Sequence, residues 1–186
     1  MTKIKVKKNR LSRISQGDVF RDVECIEYFQ EKKGVMEISK ILFPLVVILT
    51  QDCDLEQNAK YLNKKQCPSN QDKKLFSVLV VPLYNSEHVF SGEHLGDLGH
   101  KMSSINKKRT EGISLMQNER PRYHYLDFPE DVPIVSSIAD FKHYFSVSVT
   151  YLKKIQSTCF VCRLAELYRE DLSQRFAAYL ARIGLP

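Results

Sequence analysis

The chain has no long apolar run. Its longest, ILFPLVVIL at residues 41–49, is half of the ~18–20 residues a helix needs to cross a bilayer, so no membrane span is expected. It does not open on an apolar stretch behind basic residues, so no secretory signal is expected and a cytoplasmic protein is the reading that follows. Cysteine is sparse and odd in number: Cys25, Cys53, Cys67, Cys159 and Cys162. An odd count in a chain of 186 residues argues against a disulfide scaffold and for reduced thiols. No internal repeat and no low-complexity segment is present, which sets aside solenoids. Acidic residues are missing from residues 1–16, which carry six basic ones.

What is present suits one compact domain. Apolar residues make up 43% of the chain, enough for a single core at this length. The net charge is +6 and unevenly placed. Lys5, Lys7, Lys8 and Arg10 lie in what reads as a basic, flexible N-terminal arm, residues 1–14. Lys107, Lys108 and Arg109 form a second cluster, and Arg120, Arg122 and Tyr123 a basic-aromatic patch. Such groups suit RNA or DNA, because cations on phosphates release counterions and aromatic rings stack on bases. Solvated loops are the competing reading.

Gly17-Asp18 signals a turn, and VFRDVECIEYF (19–29) follows as a strand. Glu31 to Gly34 reads as a hairpin loop before VMEISKILFPLVVILT (35–50). LFSVLVVPLY (75–84), RYHYLDF (122–128), PIVSSI (133–138) and the alternating FSVSVTYL (145–152) complete the strands. Residues 52–74 read as a loop with at most a short helical turn. Leu172, Phe176, Tyr179, Leu180 and Ile183 fall on one helical stripe. The expected architecture is α+β: a small SH3-like antiparallel β-barrel over residues 15–158 with loop and helix insertions, then an amphipathic C-terminal helix over 164–184.

The polar knot Thr50-Gln51-Asp52-Cys53-Asp54 follows a buried strand directly. Asp52 and Asp54 are candidate acid–base groups, Cys53 a candidate nucleophile and Ser86 a candidate partner. Flanking carboxylates weaken a thiolate. On a continuing strand, Asp52, Asp54 and Glu56 would share a face and offer oxygens to Mg²⁺. A capped turn with no chemistry is the third reading. Cys159-x-x-Cys162 is too small a set for zinc, and no metal or cofactor is expected. His88, His94 and His100 recur every six residues, about 120° apart on a helix, so they are not expected to converge.

Gly17-Asp18-Val19-Phe20, then Pro44-Leu45-Val46-Val47-Ile48-Leu49-Thr50, then Ser77 to Leu83 resemble the strand openings of MazF/PemK-type toxins. That resemblance covers roughly residues 15–86. It implies a small SH3-like barrel and, in the family's active members, metal-free cleavage of single-stranded RNA. The family's catalytic arginine precedes the second strand, whereas Phe43 precedes Pro44 here and residues 30–43 hold no arginine. The TQDCDLE-type motif, with the tail Leu172-Ser173-Gln174-Arg175-Phe176, is also similar to a group of bacterial proteins of no known activity. The resulting expectation is a non-catalytic module binding nucleic acid or a partner protein of the same operon, in a bacterial antiphage-defence, phage or toxin-like system. The alternatives are a diverged MazF/PemK-like endoribonuclease, in which Lys33 or Lys40 would stabilise phosphate charge, and a structural subunit of a larger complex.

Overall fold

The computed structural model describes residues 2–63 and 70–182. Eight strands form one curled antiparallel sheet, and five α-helices surround it. In chain order these are β1 (Val6–Lys7), β2 (Asp18–Lys32), β3 (Val35–Ile48), α1 (Asp52–Leu62), β4 (Ser77–Asn85), α2 (Ser86–Ser91), α3 (Thr110–Met116), β5 (Tyr123–Leu126), β6 (Ser137–Asp140), β7 (Phe145–Ser148), α4 (Val149–Cys159), β8 (Phe160–Leu164) and α5 (Glu166–Leu180). The strands lie in the order β1-β8-β2-β3-β4-β6-β5, with β7 also on β4.

Bends in the long strands give the sheet its curl. Val19 and Val47 point into one core with Val81, Phe141 and Leu172, whereas Phe20 and Val46 point into a second with Val80 and Leu152. Asp22 takes a left-handed φ of 55°, and the β2–β3 ladder has no pair there, between Arg21↔Leu45 and Val23↔Phe43. Pro44 sits in that gap; having no N–H, it has nothing to donate to a ladder there. At the other end of β2, Lys33 and Gly34 both take positive φ and close a two-residue hairpin turn.

Several expectations need correcting. Residues 52–62 form an eleven-residue helix, not a loop. Only Leu55 and Asn58 of it are buried, so there was little apolar periodicity to read. The alternation of 145–152 continues as strand only to Ser148, whose hydroxyl accepts from the Tyr151 N–H and starts α4. The N-terminal segment is packed: β1 pairs with β8, the Ile4 N–H donates to the Asp127 carbonyl, and Ile4 and Ile14 are buried. Helix α5 buries Leu172 and Phe176, with Tyr179 beside them, whereas Leu180 is half exposed. Ile183, at the end of the expected stripe, lies outside the described residues, as does Cys67.

Candidate functional site

The strand β3 delivers the polar knot to the base of the sheet, and the knot becomes the first turn of α1. Asp52 and Asp54 both fall in that turn, where the helix N-terminus favours negative charge. On a helix, residues two apart face roughly opposite ways. Asp52 turns inward and half-buried; Cys53 and Asp54 are exposed. The shared carboxylate face expected from a strand is therefore not formed. Among the described residues no three His, Cys, Asp or Glu side chains converge as a metal-ligand set.

Asp52 is the hub of a charged cluster. Both of its oxygens accept from Arg13, Nη1 to Oδ1 and Nη2 to Oδ2, each at 2.9 Å. The Gln16 N–H donates to Oδ1 at 3.1 Å, and Arg169 Nη1 lies 3.5 Å from Oδ2. The hydrogen-bonded Arg13 guanidinium holds the Asp52 carboxyl below its ordinary range, against the opposing effect of burial. The two arginines at this carboxylate come from far along the chain, Arg13 before β2 and Arg169 on α5. Sequence reading missed both, since nothing local ties them to residue 52.

A second pair lies beneath. Asp18 is buried, and its Oδ2 accepts from the Ser15 N–H at 2.8 Å. Arg163 on β8 stands 3.9 Å from Oδ1, too far for a hydrogen bond. Burial pushes the Asp18 carboxyl up to about 7, more than the Ser15 N–H and Arg163 pull it down. Gly17 makes room for this assembly: a Cβ there would stand 2.8 Å from the Arg169 Cβ, at a φ of +76°. The cluster is tied to the C-terminal helix by Gln16, whose Nε2 donates to the Ser173 hydroxyl at 2.6 Å and to the Leu49 carbonyl at 3.3 Å. The TQDCD motif and the Leu172 to Phe176 tail therefore meet in space.

The other sequence candidates fall elsewhere. Cys53 Sγ has only acceptors at hand, Gln51 Oε1 at 3.6 Å and Asp54 Oδ1 at 3.8 Å. Ser86 is buried at the start of α2, its N–H donating to the Ser136 carbonyl. No hydrogen bond or ion pair joins it to residues 50–54 among the described residues. Lys7 pairs with Glu166 at 3.1 Å, Lys8 with Asp131 at 2.6 Å, and Lys107 with Glu87. Arg122 grips the buried Asp140 with Nε at 2.8 Å and Nη2 at 2.5 Å. Tyr123 is buried, with Arg120 and Arg122 over its ring at 5.5 and 4.9 Å. Lys5, Arg10, Lys108 and Arg109 make no ion pair among the described residues. Lys33 sits in the hairpin turn, and Lys40 pairs with Glu24.

A cavity of about 330 Å³ opens where β3 and β4 part. Their ladder ends at Val46↔Pro82, and both strands run on, lining the cavity with residues 41–45 and 82–85. Pro44 and Pro82 both line the cavity at this fork. Leu42, Leu98 and Val135, all exposed, line the same space. His88 and His94 both line this cavity, because α2 ends at Gly92 and the chain turns back, but with His100 they form no ligand set among the described residues. Both His94 ring nitrogens are enclosed without a hydrogen-bond partner, and burial lowers its pKa. No protein-family model, curated protein or solved structure matches this chain.

Proposed function

We propose that this protein is a non-catalytic binding module on an SH3-like barrel diverged from the MazF/PemK type, and that it takes an apolar group of a protein partner into the β3–β4 fork. The observation that carries this reading is the pairing of a rimmed apolar cavity with a carboxylate fully engaged by its own arginine. A general base needs a free lone pair at the reacting proton. Asp52 offers both oxygens to Arg13 instead, in a bidentate geometry that fixes a fold well. The cavity has what an anchor site needs: depth, apolar walls and exposed Leu42, Leu98 and Val135 awaiting cover. A protein partner is preferred over nucleic acid because the cavity is mostly apolar and Lys7, Lys8, Lys107 and Arg122 already pair with carboxylates, leaving Lys5, Arg10, Lys108 and Arg109 unpaired among the described residues. A bacterial defence or toxin-like assembly is the setting that the sequence resemblance suggests. Within it, the chain serves as a recognition subunit.

Titrating isotope-labelled protein with 4-methylphenol, a small stand-in for an aromatic anchor, tests the cavity. Saturable shifts of the Leu42, Leu98 and Val135 methyl signals are expected, reduced by Val135→Asp. Unmoved methyl signals at millimolar ligand contradict the reading. One observation favours the second reading, an endoribonuclease: Arg13 and Arg169 converge on one spot, as cations do that stabilise phosphoryl transition states. RNA cleavage by the purified protein, abolished by Asp52→Asn, would establish it.

A further inference from the structure

The far half of the β2–β3 hairpin is a ribbon without a sheet. Strand β2 pairs with β8 only at Asp18 to Phe20, and β3 with β4 only at Val46 to Ile48. From Glu24 to Leu42, among the described residues, the two strands pair only with each other, so both outer edges lack ladder partners there. A two-stranded ribbon in water is marginal by itself, and free edges invite pairing.

Its register gathers apolar side chains on one face. Phe29 stands opposite Ile38, and Met36 opposite Glu31. A bulge at Glu27 then puts Ile26 opposite Lys40 and Leu42 opposite Glu24, keeping all of them on the same side. The other side carries Val23, Cys25, Ile41 and Phe43 into the core. On the outer side Phe29 is 73% exposed, Met36 64%, Ile26 63%, Leu42 56% and Ile38 55%. These five expose on the order of 650 Å², close to the ~800 Å² each partner buries in a standard interface and above the patch a monomer normally shows.

We propose that this face is the contact between two copies of the chain, related by a two-fold axis. Charge selects that occupant. The ribbon carries Glu24, Glu27, Glu31 and Glu37 against Lys32, Lys33 and Lys40, a balance of −1 in a chain of +6. A polyanion gains nothing at such a surface, whereas an identical ribbon brings the same mixture of signs and the same apolar stripe. Self-contact buries Phe29 and Ile38 at the centre, while Glu24, Glu31 and Lys40, cross-strand neighbours of Leu42, Met36 and Ile26 on the same face, offer both signs of charge to the identical ribbon.

Sedimentation velocity of the full chain across the micromolar range tests this. The expected mass is twice 21.6 kDa. The double substitution Phe29→Asp with Ile38→Asp is expected to raise the dimer dissociation constant about a hundredfold, as loss of two central anchors does. Its circular dichroism stays that of wild type, since both side chains face solvent in the single chain, and its Tm falls only at concentrations where wild type is dimeric. Tyr28→Asp, on the opposite face, leaves the dimer intact. A wild-type monomer at all concentrations overturns the proposal and leaves the face to a different protein. A dimer that survives the double substitution overturns it too. Leu42 belongs to both surfaces, so the fork cavity is judged separately from the methylphenol shifts of Leu98 and Val135, which lie outside this face.

Discussion

Removing Arg13 exposes how much the Asp52 cluster contributes to the fold. Both side chains are 22% exposed, between the surface pairs that contribute 0–1 kcal/mol and buried pairs whose breakage costs ~3–5 kcal/mol. Arg13→Ala leaves Asp52 with the Gln16 N–H and the more distant Arg169. Scaled for that exposure and partial rescue, the expected cost is about 2 kcal/mol. For a chain of this size that is a fall in Tm of roughly 4–8 °C. Arg13→Lys recovers little, because an ammonium cannot make the two parallel bonds. Asp52→Asn costs a similar amount, and the double variant costs less than the sum, with a coupling of at least about 1 kcal/mol in a double-mutant cycle. Calorimetry or chemical denaturation reads all four proteins. Additive single effects, or Tm values unchanged by either substitution, would refute the view that this pair clamps the motif to the N-terminal segment.

Asp18 sets an opposite pH signature. Its carboxyl titrates near 7 in the folded chain and near 3.8 when unfolded, so the folded state holds the proton more tightly. The stability from this group is full below about pH 3.8 and is lost as pH rises toward 7. Asp18→Asn keeps an acceptor for the Ser15 N–H, and is expected to match or exceed wild-type stability at pH 8 with a flatter profile; a variant clearly less stable at pH 8 contradicts this. Asp52 has the reverse sign, its contribution present above the ordinary carboxylate range and lost only as pH falls below it. Gly17→Ala forces a Cβ against Arg169 at a left-handed φ, and is expected to cost at least about 2 kcal/mol by denaturant titration, with a cost under 0.5 kcal/mol refuting the close approach. With Cys67 replaced by serine, a thiol reagent is expected to label the exposed Cys53 at once and Cys162, buried and pushed up to about 12, only on unfolding; prompt labelling of Cys162 would mean that β8 opens readily.

The strands β2 to β5 were legible because apolar runs and turn residues are local signals. Lys33-Gly34 and Gly17-Asp18 punctuate the chain where the backbone in fact turns left-handed. Helix α4 was hidden because FSVSVTYL alternates by composition, and only the Ser148 hydroxyl, capping Tyr151, marks the change of period. Helix α1 was hidden by its polarity, with Leu55 as its one buried apolar residue. The motif at residues 50–54 was visible, yet its meaning was not. What defines it is a carboxylate held by an arginine 39 residues earlier and a second on the last helix. Spacing says nothing about contacts of that range. The same holds for the N-terminal lysines, which read as free cations until Glu130, Asp131 and Glu166 are brought beside Lys3, Lys8 and Lys7. That Pro44 and Pro82 come to line one cavity depends on register, which neither residue signals alone.

The most direct measurement is incubation of the purified chain with mixed single-stranded RNA, beside the Arg13→Ala and Asp52→Asn proteins at temperatures where all three are folded. Intact RNA in every tube is the expected result. Cleavage by wild type that both substitutions abolish would show that the guanidinium at Asp52 serves chemistry, and would contradict a purely binding role.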